Sequence, residues 1–139
     1  MPGFPLSYDA ARGHSMARAA EVFLRSLGGG AVLLRLPVGS QPGSADLGLA
    51  SPLIEDVALE PALVRSLPAG QQAAPPRVEV LISAAAVQEQ IERRGYDSAD
   101  ALFAAALGLV LAGKLWRIVN LTSDTFAGNA YLYRVTATS

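Results

Sequence analysis

The feature that most constrains the fold is the C-terminal third of the chain, residues 107–138. Residues that favour β-structure run up to Gly113-Lys114 and again up to Gly128-Asn129, and the second pair is a common hairpin dipeptide. The pattern predicts three successive antiparallel strands joined by two tight turns. The rest of the chain is expected to pack around this β-meander.

The alternation within the meander predicts which side chains face the core. If Gly113-Lys114 is a two-residue turn, Leu111 pairs with Trp116 and Leu109 pairs with Ile118, so these four side chains share one face. The opposite face is also largely apolar; it carries Val110, Leu115, Arg117, Val119 and Leu121. Both faces should therefore be covered, as in a small barrel or a sheet packed by helices.

The second hairpin is predicted in the same way. Pairing Ala127 with Ala130 places Phe126 opposite Tyr131 as a cross-strand aromatic pair. The polar stretch 123–125 predicts a bulge just before this turn.

Length and composition bound the kind of protein. The 139 residues suit a single domain, 51% of them are hydrophobic, and the net charge of −1 disfavours a nucleic-acid surface built on excess positive charge. The sequence contains no cysteine, which excludes disulfides, a thiolate nucleophile and Cys-ligated metals. The first residues do not resemble a secretory signal, and the apolar run 101–113 is too short to cross a bilayer. We therefore expect a cytoplasmic protein without a membrane partner.

The N-terminal part predicts an arm followed by a helix. Residues 1–14 are assigned to the arm, although a helix is plausible from about Tyr8, and the stronger helical pattern runs from Ser15 to Leu27. The predicted inward face of this helix consists of Met16, Ala20, Phe23 and Leu27.

Three further strands are predicted before the meander. Residues 31–36 form a short apolar run that ends at Pro37, and residues 77–82 alternate cleanly. Residues 54–64 are interpreted as an edge strand, or as two short strands around a break, because Pro61 cannot donate to a ladder.

Two loops and two short helices complete the prediction. Residues 37–51 and 66–76 are rich in Gly, Pro, Ser and Gln and are assigned to flexible loops. Ser83 should cap a helix over 84–94, and a second helix should begin near Asp97 or Ser98. The fold class is thus α+β: a mainly antiparallel sheet or small open barrel of five or six strands, with an N-terminal helix and a two-helix insertion.

No set of residues indicates a catalytic, cofactor or metal site. The glycines at 28–30 follow a helix, so they indicate a helix end and turn, whereas phosphate loops precede a helix. His14 is the sole histidine, which makes a zinc site unusual and a surface position the simpler reading. Glu55, Asp56 and Glu60 are close in sequence, but the first two point to opposite faces of a strand and are better explained as solvated edge charges.

Arginines and aromatic residues near the C-terminus suggest an interaction surface. Arg117 and Arg134 accompany Tyr131 and Tyr133, a mixture that also occurs on base-stacking sheets. Trp116 points away from Arg117 and is assigned to the core. The candidate surface therefore consists of the two tyrosines and the two arginines.

The C-terminal pattern resembles a known family. The run VLISAAAV followed by GLVLAGKLWRIVNLTSDTFAGNAYLYRVTAT is similar to the small β-barrel head–tail connector, or stopper, proteins of tailed phages and prophages. The similarity covers mainly residues 78–138; its motifs are the step 113–119 and the closing strand 131–135. The earlier segment IEDVALEPALV resembles the upstream strand of that family more loosely.

The resemblance implies a non-enzymatic subunit that forms a homo-oligomeric ring between the portal-side adaptor and the tail. Its partners would be other neck and tail proteins; nucleic acid would only pass through the ring, and neither a small-molecule substrate nor a cofactor is implied. Such a protein is made in the bacterial cytoplasm and can be part of the virion. Two alternatives stay open: a ligand- or protein-binding barrel whose mouth near Trp116 and Tyr133 holds an apolar ligand, and an enzyme with a carboxylate- or Ser-based mechanism.

Overall fold

The computed structural model describes residues 4–40, 52–68 and 75–139. Within them the elements are α1 (Phe4–Ser26), β1 (Gly30–Ser40), β2 (Pro52–Ser66), β3 (Arg77–Ser83), α2 (Ala84–Arg94), α3 (Ala99–Ala105), β4 (Gly108–Leu111), β5 (Lys114–Phe126) and β6 (Asn129–Thr138). The strands form a closed antiparallel barrel in the order β1-β2-β3-β6-β5-β4. The predicted α+β class and the predicted number of five or six strands are confirmed, and the barrel is closed, whereas the prediction was a sheet or a small open barrel.

Closure depends on the shortest strand. β4 pairs with β5 and also with β1, through Leu33 with Val110, Leu34 with Leu109, and Arg35 with Gly108. A Cβ atom added at Gly108 would overlap the carbonyl oxygen of Trp116, and the Gly108 φ of +155° is one that other residues rarely adopt. Glycine is therefore required where the barrel closes.

The barrel interior is filled by aliphatic side chains from all six strands and from the two inserted helices. The largest fully buried core residues are Leu34, Leu36, Leu59, Val80, Ile82, Val87, Leu102, Leu109 and Val135. Val87 of α2 and Leu102 of α3 belong to the same cluster as the strand residues. The two helices thus pack against the barrel core.

The first hairpin of the meander has a different register from the predicted one. Its turn is Ala112-Gly113, so Leu111 pairs with Lys114 and Leu109 pairs with Trp116. Both turn residues have positive φ, 52° and 77°, as in a type I′ turn. The error is two residues along β5, and because an even shift keeps every side chain on its side, the predicted core face is confirmed.

The second hairpin repeats this geometry. Its turn is Ala127-Gly128, and Phe126 therefore pairs with Asn129. The predicted pairing of Phe126 with Tyr131 is wrong. In both hairpins the alanine before the glycine also has a positive φ. Alanine rarely adopts this conformation, so the sequence does not indicate a turn that starts at the alanine.

Two bulges adjust the phase of β5. One lies between Asp124 and Thr125, within the predicted bulge region, and the other lies between Ile118 and Asn120. The second bulge reverses the alternation, so Leu121 packs against the core although it was assigned to the opposite face.

Helix α1 begins at Phe4, so the assignment of residues 4–14 to an N-terminal arm is wrong, whereas the helix considered from about Tyr8 is confirmed. Pro5 lies in the first helical turn, where the missing N–H costs no intrahelical hydrogen bond.

The predicted inward face of α1 is also wrong in its second half. Leu24 is 1% exposed and packs with Leu81 of β3 and Leu132 of β6, whereas Phe23 and Leu27 are exposed. α1 therefore lies on the outer wall of the barrel over β3 and β6, and its rotation is set by Leu24. Amphipathic spacing alone does not choose between neighbouring faces on one helix.

Strand β2 is continuous and internal, so the interpretation of residues 54–64 as an edge or broken strand is wrong. β2 pairs with β1 along most of its length and with β3 from Ala62 to Ser66. A register irregularity opposite Pro61, between Gly30 and Val32, accommodates the missing donor. Proline in a sheet is tolerated at such bulges.

The predicted loops are shorter than assigned. Residues 37–40 belong to β1, and Ser66 ends β2; residues 41–51 and 69–74 of the two predicted loops lie outside the described residues. The second connection is held at its ends, since the Leu67 N–H donates to the Arg77 carbonyl and the Thr138 hydroxyl donates to the Pro76 carbonyl.

The inserted helices agree with the prediction. The Ser83 hydroxyl accepts a hydrogen bond from the Ala86 N–H, and α2 ends at Gly95 with a left-handed φ of 73°. The Ser98 hydroxyl caps α3 through the Ala101 N–H. Serine at an N-cap and glycine after the last turn are strong sequence signals, and the predicted caps at Ser83 and Ser98 are confirmed.

Candidate interaction surfaces

A row of apolar side chains crosses four strands on the outside of the barrel. We define the outer apolar row as Ala58, Leu33, Val110 and Leu115. Leu33 pairs with both Ala58 and Val110, and Val110 pairs with Leu115, so the row is continuous across β2, β1, β4 and β5. Leu115 is 43% exposed, and Ala58 is also exposed. This part of the barrel wall presents apolar surface to the outside.

An ion pair borders the outer apolar row. The Arg35 guanidinium donates to both carboxylate oxygens of Asp56, with Nε–Oδ1 at 2.8 Å and Nη2–Oδ2 at 3.0 Å. This hydrogen bonding lowers the pKa of Asp56 below its ordinary value. Because the two charges neutralise each other, this pair adds polarity beside the row without adding a net charge.

A second network of charges joins four strands elsewhere on the wall. Arg65 Nε donates to Glu79 at 2.8 Å, and Arg134 Nη1 lies 3.5 Å from the same carboxylate. Arg134 also donates through Nε and Nη2 to Asp124, at 3.0 and 2.9 Å. The network connects β2, β3, β6 and β5, and its cooperative ion pairs stiffen this wall.

The four residues of the predicted interaction surface do not lie on one surface. Arg134 belongs to the ion-pair network, and Tyr131 packs against the cluster beneath α1. Tyr133 points toward the barrel core, while Arg117 is exposed on β5. The separation follows from alternation along β6, which sends Tyr133 and Arg134 to opposite faces. A binding role for each residue remains a prediction.

Tyr133 and Arg117 border two neighbouring grooves between α3 and β5. The groove at Tyr133 has a volume of about 320 Å³ and is also lined by Asp100, Thr122 and Ser123. The groove at Arg117 has a volume of about 380 Å³ and shares Asp100. Burial, followed by the negative charge of Asp100, raises the pKa of Tyr133. Both grooves therefore carry polar groups at their rims.

The acidic residues considered for catalysis all face arginines. Glu55 lies 2.8 Å from Arg94, and Glu60 lies 3.7 Å from Arg25. Hydrogen bonding from Arg94 lowers the pKa of Glu55, as Arg35 lowers that of Asp56. A general acid needs a raised pKa, so the observed shifts are opposite to that requirement. The lowered pKa values of Glu55 and Asp56 are those expected of carboxylates in structural ion pairs.

Two other sequence features considered as sites are the glycines at 28–30 and His14. The glycines at 28–30 end α1: Gly28 has a φ of 84°, and the Gly29 N–H donates to the Leu24 carbonyl at 2.8 Å. A Cβ at Gly29 would lie 2.7 Å from the same carbonyl oxygen, which explains the glycine. The side chain of His14 lies outside the described residues.

A second exposed apolar surface lies on α1. We define the α1 stripe as Val22, Phe23 and Leu27, which are 67%, 59% and 51% exposed. Helix α1 contacts β6 most and also β2, β3 and β5, whereas the outer apolar row is centred on β1 and β4. Neither surface is evident from the sequence: the helical pattern places Phe23 and Leu27 inward, and no local pattern indicates that β1 pairs with β4.

Among the described ranges no group of three or more His, Cys, Asp or Glu side chains is arranged to hold a metal ion. In the same part of the chain no helix combines the length and apolarity needed to span a membrane.

Comparison with known proteins adds no relative: no protein-family model, no curated protein and no solved structure matches this chain.

Proposed function

We propose that this protein is a non-enzymatic structural subunit of the head–tail connector of a tailed phage or prophage, which forms a ring between the portal-side adaptor and the tail. The observation that carries the proposal is the outer apolar row, which crosses four paired strands; Ala58 and Leu115 are exposed on the single chain, and Leu33 and Val110 are half-buried. Contiguous apolar surface on a closed barrel favours burial against another protein.

The position of the resembling motifs supports the proposal. The step at residues 113–119 begins at the turn of the β4–β5 hairpin and includes Leu115 of the outer apolar row. The closing strand at 131–135 lies in β6, beside β3 and β5. Two residues of the outer apolar row, Val110 and Leu115, thus lie in the β-meander that carries the resemblance, and the small barrel agrees with the fold that the resemblance implies.

The ion-pair network supports a mechanical role. Arg65, Glu79, Arg134 and Asp124 tie together four neighbouring strands on the outer wall. A subunit that is loaded by its neighbours and by passing DNA needs a wall that resists shear between strands. Each pair is partly exposed and contributes little alone, whereas a connected network contributes more.

The proposal includes the partners and the setting. The ring would contain copies of this chain and would contact other neck and tail proteins, in the bacterial cytoplasm during assembly and afterwards in the virion. The net charge of −1 suits a subunit that lets DNA pass and does not bind it through excess positive charge.

The test is co-expression of the full chain with the products of its neighbouring genes, followed by affinity purification and electron microscopy. The expected result is a ring that contains this protein and co-purifies with at least one neighbour. Purification of the chain free of every neck and tail protein, with no ring in the micrographs, would overturn the proposal.

A binding module is the second candidate function, and the groove at Arg117 favours it. Its volume of about 380 Å³ lies within the usual range for small-molecule sites. Fragment screening by NMR tests this candidate. Saturable shifts at Ile118, Asn120 and Leu121 would support it, and unchanged spectra across a diverse library would contradict it.

A further inference from the structure

We infer that the groove at Arg117 binds the C-terminal segment of a partner protein as an added strand on the edge of β5, with the terminal carboxylate at Arg117 and a basic side chain at Asp100. The inference names a ligand class for the second candidate function, the binding module, and does not depend on the connector role. It is argued from an unpaired strand edge, from a groove that follows this edge, and from two opposite charges along the groove.

Strand β5 is longer than the strand that covers one of its edges. β4 pairs only with residues 114–116 of β5, whereas β6 pairs with β5 within residues 117–126. Among the described residues no strand pairs with the other edge of β5 beyond Trp116. The backbone N–H and C=O groups of residues 117–121 that point away from β6 therefore lack a partner strand, and such an edge is a template for one more strand.

The groove at Arg117 follows this edge. One side consists of five consecutive residues of β5, 117–121, and the other side consists of Asp100, Phe103, Ala104, Ala106 and Leu107. Because Ala104 and Ala106 are small, a space of about 380 Å³ remains between α3 and the strand. Leu107 and Val119 are 49% and 43% exposed, so a bound chain can bury apolar side chains against them.

A bulge limits the bound segment to a few residues. Val119 lies between Ile118 and Asn120, where the pairing of β5 with β6 shifts register. A bulge bends its strand, so an added strand can follow β5 over only about four residues, or roughly 13 Å. A segment of that length suits a chain terminus that binds by strand addition.

Two charges select the chemistry of the segment. Arg117 is exposed and, unlike Arg35 and Arg134, has no carboxylate in ion-pair contact within the described residues. Asp100 is also exposed, and no arginine or lysine of the described ranges forms an ion pair with it. A cation and an anion in one groove favour a ligand that carries both charges over an apolar compound or a nucleic-acid backbone.

The course of β4 sets the direction of the segment. A strand added antiparallel to β5 runs in the same direction as β4 and ends where β4 begins, near Arg117. Asp100 also borders the neighbouring groove, with Thr122 and Ser123, so it lies toward the start of the added strand. The terminal carboxylate therefore meets a guanidinium, and a basic side chain about four residues earlier meets the carboxylate of Asp100.

NMR titration of the isotopically labelled full chain tests the inference. The probe is a pool of acetylated pentapeptides that begin with lysine, end in a free carboxylate, and otherwise contain valine, isoleucine, threonine or serine. The strongest binder is compared with its C-terminal amide and with two forms N-methylated at alternate backbone nitrogens, one in each phase. The variants are Arg117→Ala, Asp100→Asn and the matched control Arg18→Ala, since Arg18 is exposed and no residue of α1 lines the groove.

The expected result is saturable shifts and slower amide exchange within residues 118–121. The C-terminal amide, Arg117→Ala and Asp100→Asn should each weaken binding about three- to fivefold, and the amide should cause no further loss in Arg117→Ala. Methylation in the phase that faces β5 should weaken binding at least about tenfold, because the peptide then loses its hydrogen bonds to the strand edge. Arg18→Ala should bind as wild type does.

Absence of saturable shifts with the whole pool would overturn the inference, as would undiminished binding of both methylated forms, or equal losses in Arg117→Ala and Arg18→Ala. Small fragments that bind the groove while every peptide fails would also overturn it and leave the binding module standing. Peptide binding by a chain that forms no ring would support the inference and contradict only the connector role.

Discussion

Replacement of Gly108 by alanine should weaken the closure of the barrel more than any comparable glycine substitution. Gly108 pairs with Arg35 of β1 at the start of β4, and its φ is +155°. An added Cβ would overlap the Trp116 carbonyl oxygen and lie 3.0 Å from Leu115 Cδ1. The carbonyl belongs to the neighbouring strand, so the overlap can be relieved only if β4 moves away from β5.

Two contributions set the expected magnitude. The backbone conformation costs an L-residue about 1–3 kcal/mol, and forcing atoms into an already packed site costs about 1–3 kcal/mol more. Gly108→Ala should therefore lower the free energy of unfolding by roughly 2–6 kcal/mol. Gly95→Ala is the matched control, because Gly95 has a φ of 73° but its Cβ would meet nothing within 4 Å. That control should lose only about 1–2 kcal/mol.

The assay is urea unfolding at equilibrium, followed by far-UV circular dichroism and by the fluorescence of the single tryptophan, Trp116. The difference between the two variants isolates the steric contribution at the β4–β5 junction. If Gly108→Ala is no less stable than Gly95→Ala, the close approach of the two strands is absent and the reasoning about closure is refuted.

Further predictions concern the core, the half-buried tryptophan and one ion pair. Leu34→Ala should cost about 3–5 kcal/mol, because Leu34 is fully buried, while Leu115→Ala at the surface should stay within about 1 kcal/mol of wild type; equal losses in urea unfolding would contradict the assignment of the two faces. Trp116→Ala should cost about 2–3 kcal/mol because its ring is only half buried against the core, and near-neutrality in the same assay would place the ring at the surface. Arg35 holds the pKa of Asp56 below its ordinary value of 3.8, so the stability from this pair is present above pH 3.8 and is lost as the pH falls through the lowered pKa. Asp56→Asn should therefore flatten the fall of Tm with acidification, and an unchanged acid limb in thermal melts would exclude the pair as its source.

Local signals predicted much of the fold. Ser83 and Gly95 mark the ends of α2 because a hydroxyl cap and a left-handed glycine act within one helical turn. The core face of the meander also followed from the sequence, since alternation with a period of two survives an even register error. The turn residues did not follow, because Ala112 and Ala127 adopt a positive φ that their type does not favour.

Long-range pairing could not be predicted. The outer apolar row exists only because β1 pairs with β4, residues about seventy positions apart in the chain, and no local propensity carries that information. The face of α1 was missed for a related reason: Leu24 and Phe23 are adjacent, and the choice between them depends on Leu81 and Leu132 of the distant strands. Pro61 predicts an edge or broken strand, but β2 is continuous because an irregularity in the paired strand β1 accommodates the missing N–H.

The central claim is that the outer apolar row joins copies of this chain, and a pair of matched charge substitutions tests it most directly. Leu115 lies in the row, whereas Val119 is outside it on the same strand, and both are 43% exposed. The measurement is the mass of the assembly formed with the co-expressed neck proteins, determined by sedimentation velocity for wild type, Leu115→Asp and Val119→Asp. We expect rings from wild type and from Val119→Asp, and only monomeric subunit from Leu115→Asp. Rings of wild-type mass from Leu115→Asp would contradict the account.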